Sequence, residues 1–355
     1  MDSENSVRLC FNQRLSDFEK TLNIPGNTKK EKAISALCNV PGMEGVPSAD
    51  MPFRSDMINL YKCNSDAFYY DYYGTGPDYT KARFCALHEP DYPMSDTPLH
   101  SSTILMMLYA NGQGVTRDWL VAFGYACKVR ELLDNSADSI ELFRRLDAMK
   151  NAPATSQTID ICDYKRNNDV KASCALIPTS RTMYAHEQML DQYAKSLASR
   201  AYASFQNLRQ NSVPYFRSRA EYEINERQYG KIEQVKDVIK SRGDFAAMVI
   251  ELKEKKLPPV TMAEVAKTEA VLHRLYRRII SSPHFRSNPD DSSDYASNAG
   301  DVSDKSVKHT QIRWLAYRRD WLDFVDIVAP ESHAAIEQEI TEQRIAQLRS
   351  ILGKW

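Results

Sequence analysis

The sequence contains no run of eighteen apolar residues, so it encodes no helix of the kind that crosses a bilayer. Glycine is scarce, at 12 of 355 residues, while Leu, Ala, Glu, Lys, Arg and Gln dominate the second half. That composition is typical of helices and argues against an all-β protein. An excess of one charge is also missing, because 46 basic residues nearly balance 47 acidic ones. The net charge of -1 therefore argues against a nucleic-acid-binding protein.

Motifs of common enzyme classes are missing as well. The seven histidines are scattered, with no HExxH motif and no i,i+4 pair, and no Gly-x-Ser-x-Gly turn occurs. His186 and Glu187 lie on a predicted helix without a nucleophile nearby, so we interpret His186 as a surface residue. Paired carboxylates are frequent, but on highly charged helices they are expected on a solvated face. The sequence therefore predicts a protein that is not an enzyme and that needs no cofactor or metal.

The seven cysteines occur at spacings that suggest pairs. No CxxC motif is present, so a zinc ribbon or a thioredoxin-like site has no support. Paired cysteines suit an oxidising compartment better than a reducing cytosol. Cys127 is left over, either as a buried thiol or as a partner in a different pairing. The disulfide candidates are Cys10 with Cys38, Cys63 with Cys85, and Cys162 with Cys174.

The beginning of the chain leaves the compartment open. The residues from Met1 to Glu4 are polar and acidic, and no export signal is visible. Either the protein is cytosolic, or Met1 stands after an export signal that has been removed. The cysteine spacings favour the second explanation, so we expect a periplasmic or secreted protein rather than a cytoplasmic one.

The stretch from Asp160 to Leu197 joins two differently built halves. Cys162 and Cys174 bracket eleven residues here, and closing so short a loop would stabilise the fold by about 3 kcal/mol. The alternative is two unpaired thiols on one helix. The polar run from Lys165 to Lys171 favours the disulfide, because it offers no apolar face on which free thiols would be buried.

Residues 1–50 are expected to form N-terminal helices. Apolar residues at helical spacing predict a first helix from Ser6 to Leu22, a second follows from Lys29 to Leu37, and a turn-rich connector completes the region. Residues 134–159 are interpreted as a linker that contains a helix from Asp138 to Met149.

An internal repeat occupies residues 51–133. A period near forty residues, with a Gly-x-Gly turn between two helices, is typical of helical-hairpin repeats. The glycines permit a tight reversal of the chain, and an aspartate then caps the following helix. No strand precedes the turns and no Lys-Ser/Thr follows them, so a phosphate loop is not supported. The matching positions are Gly74 with Gly112, Gly76 with Gly114, and Asp78 with Asp118.

The stretch from Leu108 through Asp118 to Ala122 resembles a SEL-one-like repeat, a relative of the tetratricopeptide repeat. The first copy follows the pattern less closely. Two repeats are fewer than a stable solenoid needs, so we expect them to pack on the N-terminal helices or on the C-terminal bundle. The aromatic cluster from Phe68 to Tyr73 is interpreted as packing, with a partner-binding face at Tyr72 and Tyr73 as the alternative.

Residues 160–355 are predicted to form a bundle of long helices. Apolar residues follow helical spacing from Met183 to Gln210, and Pro214 is expected to mark a kink or a restart. Thr261 and Glu264 form a capping box at the start of another helix. Residues 281–305 are rich in serine, asparagine and aspartate, so we expect a mobile acidic loop. Further helices are predicted at 217–242, 244–252, 307–328 and 331–352.

The second half resembles the LprI-type lysozyme-inhibitor family over residues 160–352. The resemblance rests on the paired Cys162 and Cys174 before a helix and on a Gln-x-x-Trp-Leu-x-Tyr-Arg signature near the end. Trp321 departs from the pattern, because it stands where a further cysteine often occurs. The signature residues are Gln311, Trp314, Leu315, Tyr317 and Arg318, and Leu190, Asp191, Tyr193, Leu272 and Tyr276 match earlier helices of the family.

The physical chemistry of the signature points to packing rather than to direct partner contact. Trp314 has a large ring to bury between helices. Arg318, one turn further, is expected to lie along aromatic surface and to pair with a carboxylate such as Asp191. Gln311 is expected to satisfy a backbone group at the start of the helix.

The resemblance implies a non-enzymatic protein of the bacterial cell envelope that binds and inhibits a peptidoglycan-degrading glycosidase, as a lysozyme inhibitor or an immunity-type protein. Glycosidase clefts act through two carboxylates, and a protein segment can block such a cleft without chemistry. Acidic residues in the loop, at Asp290, Asp291 and Asp294, would suit a cationic lysozyme, unless the loop is simply disordered. The alternative function is a repeat-based protein–protein interaction adaptor in the periplasm.

Overall fold

Helices are the regular secondary structure of the computed structural model, which describes residues 2–43, 45–52, 63–89, 99, 101–133, 136–150, 157–164, 168–224, 231–286 and 302–353. No strand occurs within these ranges. The predicted all-α fold with disulfide bonds is therefore confirmed. In the same ranges, no helix combines the length and the apolar character that crossing a membrane requires.

Two compact units make up the chain: unit 1 is Met1–Arg181 and unit 2 is Thr182–Trp355. The stretch from residue 160 to residue 181, which the sequence analysis grouped with the second region, belongs to unit 1. Unit 1 contains α1 (Asp2–Thr21), α2 (Thr28–Cys38), α3 (Ser65–Tyr69), α4 (Tyr79–Ala86), α5 (Ser101–Asn111), α6 (Trp119–Leu132), α7 (Ser136–Lys150) and α8 (Asn168–Ala175). Helix α9 (Ile177–Ser196) spans the boundary, and unit 2 continues with α10 (Ser199–Glu223), α11 (Lys231–Lys253), α12 (Met262–Ser281), α13 (Asp304–Val328) and α14 (His333–Leu352).

Unit 1 has one core that the N-terminal helices share with the repeats. Phe18 of α1 meets Phe143 of α7 edge-on, with ring centres 6.2 Å apart. Phe11 of α1 lies 5.6 Å from the ring of Phe123 in α6. All four rings are buried. The N-terminal helices thus supply apolar cover that two hairpins lack on their own.

Three disulfides lie in unit 1. Cys63 is bonded to Cys85 and Cys162 to Cys174, the two shorter-range pairs that the spacings suggested. The predicted pairing of Cys10 with Cys38 is wrong, because Cys38 is bonded to Cys127 and Cys10 is an exposed thiol. The physical reason is that α2 packs on α6, which brings the Cα atoms of Cys38 and Cys127 to 5.4 Å, the separation that a disulfide needs.

Unit 2 is organised around a long contact between α10 and α13. The partners along this contact run in opposite directions, so the two helices are antiparallel. Two buried aromatic pairs lie along this contact, with one polar bond between them and a second polar bond beyond the tyrosine pair. The paired residues are Phe205 with Phe324, Asn211 with Asp320, Tyr215 with Tyr317, and Ser218 with Thr310. Helix α11 packs on α10, and α14 packs on both α12 and α13.

The predicted helix from Met183 to Gln210 is wrong in one respect. The chain leaves the helical conformation at Ala198, whose ψ angle of 155° separates α9 from α10. Pro214 does not start a new helix, because it lies inside α10. Tyr215 and Phe216 follow it directly and are buried against Tyr317, and this packing outweighs the backbone hydrogen bond that a proline cannot donate.

Loss of the bond between Cys38 and Cys127 should destabilise the protein strongly. The bond closes a loop with a sequence separation of 89, for which chain entropy gives a stabilisation of about 4–5 kcal/mol. We expect the double variant Cys38→Ser/Cys127→Ser to lose about this free energy of unfolding in chemical denaturation. The control Cys10→Ser should leave the unfolding free energy unchanged. Peptide mapping of the unreduced protein that joined Cys10 to Cys38 would contradict the pairing.

Candidate functional site

Both hairpins of unit 1 reverse direction through a turn with two glycines at positive φ. In the first hairpin Gly74 and Gly76 have φ angles of 70° and 92°. In the second hairpin Gly112 and Gly114 both have a φ of 68°. Residues with a Cβ rarely adopt this conformation, so the repeated glycines reflect a repeated backbone shape.

An aspartate follows each of these turns and caps the next helix. Asp78 accepts a hydrogen bond from the backbone N–H of Lys81 at 3.0 Å, at the start of α4. Asp118 accepts from the N–H of Leu120 at 2.9 Å, at the start of α6. The carboxylates satisfy amide groups that the helix itself leaves unpaired. The two copies of the repeat are thus locally alike.

The second turn is docked on the first hairpin. A Cβ atom at Gly114 would lie 2.9 Å from the backbone carbonyl carbon of Tyr79 in α4. The carbonyl of Gly114 accepts from Arg83 Nη1 at 2.6 Å. Gln113 accepts from the Tyr69 hydroxyl at 3.0 Å and donates to the Tyr79 hydroxyl at 3.2 Å. These hydrogen bonds keep the two hairpins stacked on each other.

A short segment at residues 157–160, the docked segment, lies across the second hairpin. Asn111, the last residue of α5, forms two hydrogen bonds with the backbone of Ile159. Its Nδ2 donates to the Ile159 carbonyl at 2.9 Å and its Oδ1 accepts from the Ile159 N–H at 2.8 Å. Arg117 donates to the carbonyl of Gln157 at 3.4 Å, and the Ile159 side chain is fully buried. The hairpin therefore binds peptide backbone, and the bound peptide is the chain itself.

The docked segment leads directly into the corner closed by Cys162 and Cys174. Asp160 accepts from the Tyr70 hydroxyl at 2.9 Å and from the N–H of Cys162 at 2.8 Å. Burial, together with the charge of Asp160, raises the pKa of Tyr70 well above its ordinary value, so the hydroxyl remains a donor. Arg181 donates to the carbonyl of Tyr70 at 2.7 Å. The corner is therefore closed by its own disulfide and is also hydrogen-bonded to the first repeat.

The aromatic turn of the first repeat does not present an open aromatic face. Tyr72 is only 2% exposed, and Tyr73 packs on Phe68 with ring centres 5.0 Å apart. The suggestion of partner binding is wrong at Tyr72, because a buried ring cannot reach a partner. The other residues suggested for partner binding, Asp290, Asp291 and Asp294, lie outside the described residues.

In unit 2, most of the LprI-like signature meets in one apolar cluster. Trp314 is 3% exposed, and the guanidinium of Arg318 lies 5.9 Å from the centre of its ring. Tyr317 stacks on Tyr215 at 5.0 Å. Burial raises the pKa of Tyr317 far above its ordinary value. The signature members of this cluster are Leu190, Tyr193, Leu272, Tyr276, Trp314 and Tyr317.

Three details of the signature differ from the sequence analysis. Arg318 does not pair with Asp191: it donates to Glu269 of α12 and Glu337 of α14, since those helices face it. Asp191 instead accepts from Arg209 at 2.6 Å. Gln311 accepts from a side chain, not from the backbone: Arg344 Nε donates to it at 3.0 Å. Leu315 is 49% exposed, because one residue beyond Trp314 the helix has turned by about 100°.

A fully buried ion pair lies beside this cluster. Arg344 donates to both carboxylate oxygens of Glu223 at 2.7 Å, and their side chains are 0% and 2% exposed. Gln347 accepts from Arg344 at 3.2 Å and from the Tyr215 hydroxyl at 2.6 Å. Burial lowers the pKa of Arg344, but the charge of Glu223 more than offsets it and the pKa lies above its ordinary value. The guanidinium thus stays charged inside the core.

This ion pair was not predicted from the sequence. The helix predicted from residue 331 to residue 352 is rich in charge, and charged residues on such helices are usually solvated. A signal was present, because Arg344 stands four residues after Ile340 and four before Leu348, on the apolar stripe of α14. A charged residue in such a stripe indicates a buried partner.

An open pocket of about 370 Å³, the carboxylate pocket, lies between α12, α14 and the connector that precedes α12. The connector and Ala335 give it an apolar wall, and four charged side chains line the rest. The lining residues are Leu257, Pro258, Val260, Glu264, Lys267, Thr268, Ala335, Gln338, Glu339 and Glu342.

In the described part of the chain, no group of three or more His, Cys, Asp or Glu side chains has a geometry that could hold a metal ion. The chain matches no protein-family model, no curated protein and no solved structure.

The close packing of the second turn can be tested by comparing two glycines with nearly the same φ. Gly74→Ala should cost about 1 kcal/mol, the penalty of a left-handed alanine, because no described heavy atom lies within 4 Å of its new Cβ. Gly114→Ala should cost roughly 1–3 kcal/mol more, since its Cβ would meet the backbone of Tyr79. Unfolding free energies from denaturant titration measure both. Equal losses would show that the second turn is not docked on α4.

The buried pair can be tested by changing its members singly and together. Arg344→Met should cost about 3–5 kcal/mol of unfolding free energy, because it leaves the Glu223 carboxylate in the core without its cation. Glu223→Gln/Arg344→Met should recover most of this loss, since no charge then remains buried. Arg349→Met, at an exposed position of the same helix, is the control and should have little effect. A double variant that is no more stable than the single one would contradict the pairing.

Proposed function

We propose that this protein is a non-enzymatic protein of the bacterial cell envelope that binds and inhibits a peptidoglycan-degrading glycosidase. The observation that supports the proposal most directly is the convergence of the LprI-like signature. Six of its residues, which come from three helices, contribute to one apolar cluster of unit 2. A shared core is the arrangement that we expect if these residues act together as one structural signature.

The disulfides support a place outside the reducing cytosol. Three cysteine pairs are bonded, one of them across a sequence separation of 89. Stable disulfides of this kind form in the periplasm or after secretion, where peptidoglycan hydrolases also act. We therefore propose a periplasmic or secreted location.

Inhibition of a glycosidase needs no chemistry from the inhibitor. The target cleft holds two catalytic carboxylates and binds an extended sugar, so a protein surface that covers the cleft is sufficient. Acidic groups on the inhibitor would steer a cationic lysozyme towards it. The described residues offer such groups in the carboxylate pocket of unit 2.

The second candidate, a repeat-based adaptor, is favoured by one observation. The second hairpin already binds a peptide backbone, because Asn111 forms two hydrogen bonds with Ile159. Here the position is occupied by the docked segment, so an adaptor would use another surface or displace that segment.

The inhibitor proposal is tested by measuring cell-wall clearing. Purified protein is mixed with c-, g- and phage-type lysozymes, and the fall in turbidity of a peptidoglycan suspension is followed. We expect at least one lysozyme to be slowed in proportion to the added protein, because one inhibitor blocks one cleft. Protein unfolded by reduction and heat is the control and should not slow the reaction. Clearing at the full rate for every lysozyme at large molar excess would reject the inhibitor proposal.

Cross-linking of the full-length protein to a captured partner separates the two candidates. Cross-links from the partner to residues 182–353 favour the inhibitor, whereas cross-links to residues 63–133 favour the adaptor.

A further inference from the structure

One side of α12 and the turn that follows it carry positive charge that neighbouring acidic residues do not balance. From residue 270 to residue 289 the sequence has no Asp or Glu, although four arginines occur there. All four are exposed, and none forms an ion pair with a residue that the structure describes. Elsewhere exposed arginines do form such pairs, as Arg144 does with Glu141 and Arg319 does with Asp320. We call this surface the basic face, and its members are Arg274, Arg277, Arg278 and Arg286.

The arginines of α12 project away from the core of unit 2. Leu272 marks the buried side of this helix and is 2% exposed. At about 100° per residue, Arg274, Arg277 and Arg278 all lie about 120° or more round the helix from Leu272. A helix surface of this kind is convex, so it contacts an extended partner and does not enclose a small anion.

Helix α13 runs alongside α12 in the opposite direction. Arg318 of α13 donates to Glu269 of α12. Earlier in α13, the ammonium of Lys308 acts electrostatically on Tyr276 of α12. Because the order of these two contacts is reversed between the helices, residues 308–318 of α13 border residues 269–276 of α12.

An apolar ridge on α13 lies beside the basic face. Ile312 is 68% exposed and Leu315 is 49% exposed, and both lie between the two contacts with α12. Leu315 is three residues from Arg318, and Ile312 is three residues from Leu315, a spacing that makes them neighbours on the helix surface. Since Arg318 faces α12, the ridge begins at the junction between the two helices. Exposed apolar side chains and exposed arginines thus adjoin on the outer surface of unit 2.

We propose that the basic face and the apolar ridge bind the surface of a bilayer that contains anionic phospholipids. Guanidinium groups suit the lipid phosphates, because their planar fork can donate two hydrogen bonds to one phosphate. The ridge suits the boundary between headgroups and acyl chains, where apolar side chains of a surface-bound helix are buried. A soluble polyanion offers charge alone and would gain nothing from Ile312 and Leu315. Lipid headgroups are also mobile, so they can gather under arginines whose spacing is irregular.

This inference goes beyond the proposed function and does not depend on it. Binding of this kind is peripheral, so it needs no helix that crosses the membrane. Positive charge on the basic face would repel a cationic lysozyme. An inhibitor of such an enzyme would therefore hold its target through another surface while the basic face rests on the bilayer.

The test is sedimentation of the full-length protein with lipid vesicles. One set of vesicles is pure phosphatidylcholine, and in the other about a third of the lipid is phosphatidylglycerol. We expect the protein to sediment with the anionic vesicles and to remain in solution with the neutral ones. High salt should release most of it, because salt screens the attraction between arginine and phosphate. Equal sedimentation with both sets, or with neither, would overturn the proposal.

Charge variants locate the binding surface. Arg274→Gln/Arg277→Gln should weaken the partition onto anionic vesicles by about ten- to thirtyfold, since each basic residue near such a surface contributes about a factor of five. Lys195→Gln/Arg200→Gln removes the same charge at exposed positions and is the control. Phe205 packs on Phe324, so the start of α10 lies beside the far end of α13. Equal losses from the two double variants would show that net charge, and not the basic face, governs binding.

The apolar ridge separates a bilayer from a soluble polyanion. Ile312→Ser/Leu315→Ser should weaken the partition by about three- to tenfold, and it should do so at high salt as well, because burial of apolar groups is not screened. Both side chains are exposed, so the unfolding free energy should stay unchanged and serves as the control for folding. Full binding by this variant would reduce the surface to an electrostatic site and overturn the bilayer proposal.

The vesicle assay contains no lysozyme, so its outcome is independent of the glycosidase proposal. If the protein binds anionic vesicles and slows no lysozyme, the bilayer surface stands and the glycosidase proposal falls. If a lysozyme is inhibited and the vesicles bind no protein, the glycosidase proposal stands and the bilayer surface is rejected.

Discussion

The ion pair between Arg344 and Glu223 is the constraint on which unit 2 depends. Two buried charges destabilise the core unless they remain bonded to each other. The helices that carry them therefore cannot slide or rotate independently. Arg344 comes from α14 and Glu223 from the last turn of α10, while Gln311 of α13 takes a third bond from the same guanidinium. One side chain thus fixes three helices in register. Apolar packing alone is non-directional and specifies such a register less strictly.

Unit 1 fixes the relative positions of its helices in a different way. Its second hairpin is stacked on the first by a glycine turn with no room for a Cβ atom, and its helices are joined by covalent bonds. No cysteine follows Cys174, so unit 2 has no disulfide to use. Both units depend on packing between helices, which supplies most of the stability of helices in proteins.

The sequence predicted what local patterns determine and missed what distant packing determines. The capping box at Thr261 and the glycine turns were predictable, because each depends on residues within a few positions. The bond between Cys38 and Cys127 was not, since spacing favours near neighbours and carries no information about which helices pack together. The same limit applies to Arg318, whose partners Glu269 and Glu337 lie on two other helices. The carboxylate pocket was missed entirely, because its walls come together only when α12 meets α14.

The inward position of the signature also bears on where a partner can bind. Trp314 and Tyr317 are buried and cannot touch a partner, so any role they have in binding must be exerted through the surface that they position. Arg318 provides the connection, because it lies over Trp314 and holds Glu337 of α14. Once Glu337 is held inward, the helical rotation of about 100° per residue directs Gln338 and Glu339 away from that core and into the carboxylate pocket. Signature residues that are buried can therefore still determine the geometry of the surface on the other side of the same helix.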